Sequence, residues 1–63
     1  MAQNFRVRAY GDTSYFRDSK EKAYATATQV MQGNGCGCIE QRQPNGCWKM
    51  ISRFEPWYGI VAV

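Results

Sequence analysis

Pro44-Asn45-Gly46 stands between two segments of strand-forming composition, Cys38 to Gln43 and Cys47 to Phe54, and no other feature limits the fold of this chain so tightly. Asn-Gly between such segments is the strongest short-range mark of a β-hairpin, because both residues tolerate the left-handed backbone of a tight turn. Pro44 leaves two registers open. With Pro44 at the first corner of a type I turn and Gly46 left-handed in a bulge, Gln43 lies opposite Cys47. A two-residue Asn45-Gly46 turn sets Pro44 opposite Cys47, although Pro44 has no N–H to give to the pair that closes such a turn.

Side chains alternate with a period of two, so a one-residue shift reverses which residues share a face. The two-residue turn gives the cleaner pattern and is the expected register. It gathers Ile39, Trp48, Met50 and Phe54 on one face and Glu40, Arg42, Lys49 and Arg53 on the other. The bulged turn mixes Trp48 and Met50 with Glu40 and Arg42.

Upstream, Phe5 to Tyr10 alternates Phe5, Val7 and Ala9 with Arg6, Arg8 and Tyr10, the pattern of a half-buried strand. Gly11-Asp12-Thr13 supplies turn residues, and Ser14 to Arg17 forms a short second strand. Asp18 or Ser19 can cap a helix over Lys20 to Gln32, with Glu21 in its first turn favoured by the helix dipole. Ala23, Ala27, Val30 and Met31 recur at helical spacing, with Tyr24 beside them. Gly33 is expected to end the helix in the left-handed conformation. The stripe is mostly alanine, so bulk must come from the sheet: Phe5, Val7, Ile39, Met50 and Trp48.

After a turn at Glu55-Pro56, the uncharged Ile60 to Val63 has strong strand preference. The order predicts an α+β fold in a single domain, 1–63, with one helix on one face of a small antiparallel sheet, ββαββ, and room for a fifth, C-terminal strand.

Several chemistries are excluded. The 63 residues include three cysteines and no histidine, short of the four ligands of a structural zinc site. The turn also holds Cys47 roughly 20 Å from Cys38 at the rise of a β-strand. No nucleophile elbow, Ser-x-x-Lys or phosphate loop occurs, since Gly33-Asn34-Gly35-Cys36-Gly37 precedes a strand and does not open a helix. We expect no enzyme, no cofactor and no metal. No window suits a membrane span or signal peptide, and the odd cysteine count argues against a secreted disulfide framework, so a cytoplasmic chain is expected.

A surface remains. Net charge is +3, and nine of the residues are aromatic. Arg6, Arg8, Tyr10, Arg42, Lys49 and Arg53 are expected on the face away from the helix, joined by Tyr15 and Arg17, with Trp48, Trp57 and Tyr58 as aromatic anchors. These are the residue types that dominate protein interfaces. The expected function is a small module that binds and modulates, or inhibits, a protein partner. Free-standing chains of this size include such regulators from phages and mobile elements. The C-terminal apolar strand is expected to pair as a closing strand; the alternative is that its edge is kept for a partner chain, as in a homodimer. The alternative function is nucleic-acid binding by a basic, aromatic sheet face.

Overall fold

In a computed structural model describing residues 3–11 and 13–63, the chain runs β1 (Phe5–Ala9), β2 (Thr13–Arg17), α1 (Lys20–Gln32), β3 (Gly37–Arg42), β4 (Trp48–Glu55) and β5 (Gly59–Ala62). Asp12, assigned above to the first turn, lies outside the described residues. All neighbours are antiparallel, in the order β2-β1-β3-β4-β5. The helix returns the chain from edge strand β2 to pair β3 with β1, and two hairpins complete the sheet. The expected helix-on-sheet architecture forms, and the fifth strand is part of it.

The helix starts where Ser19, in extended conformation, accepts a hydrogen bond from the Lys22 N–H at 3.2 Å. Asp18, just outside, pairs with Lys22 Nζ at 3.2 Å. Ala23 and Ala27 are fully buried, so the helix lies close over Val7, Ile39 and Phe54. Small residues on the helix let backbones approach, and the sheet supplies the volume. Tyr24 adds a polar link, its hydroxyl 2.7 Å from the Oγ of buried Ser52.

The helix ends differently from the expectation. Gly33 has φ −90, and Asn34 is the left-handed residue at φ 63. The Gly35 N–H bonds to the Val30 carbonyl and the Asn34 N–H to the Met31 carbonyl, the paired bonds of a Schellman motif with Asn34 in the left-handed position. Asparagine tolerates that conformation less well than glycine. Asn34→Gly should therefore raise stability by about 0.5 kcal/mol, a gain of ~2–4 °C readable by thermal melting.

The central hairpin takes the bulged register. Gly46, at φ 87, donates to the Gln43 carbonyl at 2.8 Å, and Gln43 donates to the Cys47 carbonyl at 2.7 Å. Pro44 thus occupies a corner where no N–H is needed, and this backbone requirement outweighs the tidier side-chain pattern. Near the turn Arg42 pairs with Trp48 and Glu40 with Met50. A second bulge at Ile51 then restores the phase, so that Ile39 pairs with Ser52, Cys38 with Arg53 and Gly37 with Phe54.

The two bulges sort β4 into two halves. Trp48 and Met50 share the face of Glu40 and Arg42, away from the helix, and do not join the core as expected. Lys49 leaves the basic face, because its partner Gln41 pairs in turn with Phe5 on the helix side. Beyond the second bulge Phe54 is fully buried beneath the helix, with Ile51 and Ile60 packed beside the core. Strand β2 is also phased opposite to the expectation. Tyr15 pairs with Val7 and Arg17 with Phe5, on the helix side, where Arg17 Nε donates to Thr26 Oγ1 at 2.9 Å.

Candidate functional site: the uncovered sheet face

Sheet register lays the residues of the open face in rows. One row runs Phe16, Arg6, Glu40, Met50 across β2, β1, β3 and β4. The next runs Ser14, Arg8, Cys38, Arg53, Val61 across all five strands. Arg42 and Trp48 form a pair on the turn side of the first row.

Glu40 is the centre of this arrangement. Although no helix covers it, its side chain is only 11% exposed. Arg6 reaches Oε1 through both Nε, at 2.8 Å, and Nη2, at 2.7 Å. Arg8 approaches Oε2 from the other side at 3.7 Å. Both arginines come from β1, two residues apart, so strand alternation sets both on the open face, and the pairing of Arg6 with Glu40 and of Arg8 with Cys38 brings both beside Glu40. The Arg6 guanidinium also lies 4.5 Å from the centre of the Trp48 ring, and Phe16 closes against Trp48 with centroids 6.0 Å apart. A carboxylate thus holds Arg6 on one side and an aromatic face holds it on the other, an ion pair and a cation–π contact acting on one planar group.

Around this cluster the face stays open. Phe16 and Met50 are each about two-fifths exposed, and Arg8, Arg42 and Arg53 present their charges to solvent. A groove of about 500 Å³ runs along the Arg8 and Tyr10 side, floored by Cys38 and Glu40 and walled by Met50, Thr13 and Ser14.

At the end of the sheet formed by the β1–β2 and β4–β5 turns stand Tyr10, Trp57 and Tyr58, exposed by 64%, 72% and 47%. Trp57 and Tyr58 meet edge to face at 6.3 Å, and the Tyr58 hydroxyl donates to Glu55 Oε1 at 2.9 Å. That bond to a carboxylate holds the Tyr58 pKa above its ordinary value.

The expected site residues therefore fall into three groups. Arg6, Arg8, Arg42, Trp48 and Arg53 lie together on the open face. Tyr10, Trp57 and Tyr58 gather at its end, and Lys49 lies on the other side of the sheet. Phe16, Met50 and Glu40 belong to the first group but were not expected there as binding residues. The phase of β2 was the missing signal for Phe16, and the bulged turn at Pro44-Asn45-Gly46, the register set aside above, was the signal for Met50.

The cysteines are free thiols: Cys47 exposed at the turn, Cys36 half-buried and Cys38 buried. Burial first, and the nearby Glu40 second, push the Cys38 thiol up from its ordinary value, so little of it is thiolate at neutral pH. Among the described residues no group of three or more acids, cysteines or histidines converges on one point. No described helix is long and apolar enough to cross a membrane.

Fold and face together define a small α+β domain with one sheet face under a helix and the other offered to solvent as an arginine and aromatic surface. Comparison with protein-family models, with curated proteins and with solved structures finds no match, so the face must be read from its own chemistry.

Proposed function

We propose that the protein is a small non-catalytic interaction module that binds a protein partner through the uncovered sheet face and modulates it by covering the surface it binds. The carrying observation is the adjacency of Phe16, Trp48, Met50 and Arg6 on that face, an apolar and arginine-rich centre of the kind found at the core of protein interfaces. Arg8, Arg42 and Arg53 surround this centre, so the matching surface is apolar in the middle and acidic at its rim. The module acts inside the cell, where its three thiols stay reduced. The edge strand β5 gives it a second surface, suited to another copy of the chain.

The alternative, nucleic-acid binding, is less well supported by the same geometry. Glu40 takes up the charge of Arg6, and Arg6 lies over the Trp48 ring that would otherwise stack on a base.

Capture from a native extract, followed by titration of the isolated partner, tests the reading. Trp48→Ala should weaken binding by about 30-fold, the effect of losing a central aromatic anchor, with little loss of fold. Thr28→Ala, on the exposed side of the helix, should bind as the wild type does. Equal binding by the Trp48 variant would remove the face from consideration. Capture of nucleic acid alone, lost steeply as salt rises, would replace the reading with its alternative.

A further inference from the structure

Resting on the reading of β5 as a surface for a second copy, we infer that two chains pair β5 to β5 in antiparallel fashion about a two-fold axis at Val61, with Ile60 of each copy opposite Ala62 of the other. The hydrogen-bond phase of the sheet restricts the registers to those in which outward-directed residues meet, and within residues 59 to 63 this one pairs both of them. The Val63 N–H bonds inward to the Ile51 carbonyl at 3.1 Å, and Val61 pairs with Arg53 two residues on. In an antiparallel ladder, bonded and non-bonded pairs alternate. Val63, Val61 and Gly59 therefore direct their backbone groups to β4, while Ile60 and Ala62 direct theirs to the open edge.

Residues with outward groups must face one another for a second copy to bond. Setting Ile60 opposite Ala62, and the reverse, makes two bonded pairs and about four hydrogen bonds. Val61 then falls opposite itself in the close, non-bonded position, where two apolar β-branched side chains pack well. Val61 is 42% exposed on the uncovered face, so the pairing covers apolar surface as well as backbone.

Two observations select another copy as the occupant. The side chains of residues 59 to 63 carry no charge, so self-pairing opposes no like-charged side chains on the paired strands of a chain whose net side-chain charge is +3. The nearest arginine on this face, Arg53, would lie three strand spacings from its counterpart, roughly 14 Å, beyond the ~8 Å Debye length at physiological salt. The two sheet edges also differ. At the β2 edge the Arg17 guanidinium donates to the Phe16 carbonyl at 2.7 Å and occupies the edge, whereas β5 has no proline, charge or bulge to blunt it.

Sedimentation from ~10 µM to ~1 mM, the range of weak complexes, tests the state of the wild type, which should become dimeric. Ala62→Pro removes only an outward N–H, so it should keep the wild-type circular dichroism and be monomeric. Val61→Lys and Val61→Asp should each be monomeric alone and form a mixed dimer when combined, because the two charges then meet at the axis. A monomeric wild type would overturn both the second surface and this pairing. A dimer that persists in Ala62→Pro would move the interface off β5 and overturn both as well. Loss of the dimer in Ala62→Pro without rescue on mixing the Val61 variants would leave β5 as the interface and overturn the register.

Discussion

Gly37→Ala is expected to abolish the folded state at ordinary temperatures, or to lower its melting temperature by at least ~12 °C. Gly37 sits in the middle of the sheet between Ala9 of β1 and Phe54 of β4. A Cβ at this position would run into the Arg8 carbonyl oxygen, and would lie 2.9 Å from Phe54 Cζ and 3.0 Å from Ala9 Cα. The obstacle is space, since the Gly37 backbone is not in the left-handed region. Neither neighbour can give way cheaply. The Phe54 ring is fully buried beneath the helix, and moving β1 would strain the bond from the Tyr10 N–H to the Cys36 carbonyl.

Overpacking against backbone costs about 3 kcal/mol or more, and the net stability of a domain this small is of the same order, ~3–5 kcal/mol. Gly33→Ala is the control. Its φ is negative and its nearest neighbour is at 3.6 Å, so it should melt within a few degrees of the wild type. A Gly37→Ala protein melting that close to the wild type would show that β1 and β3 can separate without loss, contrary to the packing described.

Glu40→Gln is expected to cost about 2–3 kcal/mol in urea denaturation. The substitution keeps shape and removes charge, leaving the Arg6 guanidinium, whose side chain is 21% exposed, against Trp48 with no counter-charge. Breaking a fully buried pair costs ~3–5 kcal/mol, and the partial exposure of Arg6 reduces that figure. The double variant Arg6→Met, Glu40→Met should recover most of the loss, because an apolar pair has no charge to desolvate. Equal stability of the wild type and Glu40→Gln would mean that Arg6 reaches solvent at no cost and that Glu40 does not organise the face.

Much of the fold was readable from the residues because the local signals agree with one another. Helix bounds followed from Ser19, Glu21 and the alanine stripe, and the central hairpin from Pro44-Asn45-Gly46. The register was harder because two local demands compete there. Binary pattern pointed to a two-residue turn, while the missing N–H of Pro44 pointed to a bulge. The backbone demand prevails, since an unmet hydrogen bond affects the ladder directly and a misplaced side chain can find another neighbour.

The pattern was not empty, however. It correctly grouped Ile39 with Phe54, and Arg53 with the open face, because the bulge at Ile51 cancels the first shift over the far half of β4. Nothing in the composition around Ile51 announces that bulge. Likewise a glutamate within a strand reads as solvated. Only the adjacency of β1 and β3, a pairing that crosses the helix in sequence, reveals that Arg6 and Arg8 enclose Glu40.

The unlike edges of the sheet set a limit on how far chains can join side by side. One border has its Phe16 carbonyl occupied by Arg17 and the other is bare, so lateral pairing is favoured at the β5 border. Two bare borders joined to each other leave only the Arg17 borders outside, where extension is disfavoured. In the proposed β5 pair, an edge strand without charged side chains would thereby be closed off, and the contact of Arg17 with the Phe16 carbonyl on the far side of the sheet would oppose growth into a fibre.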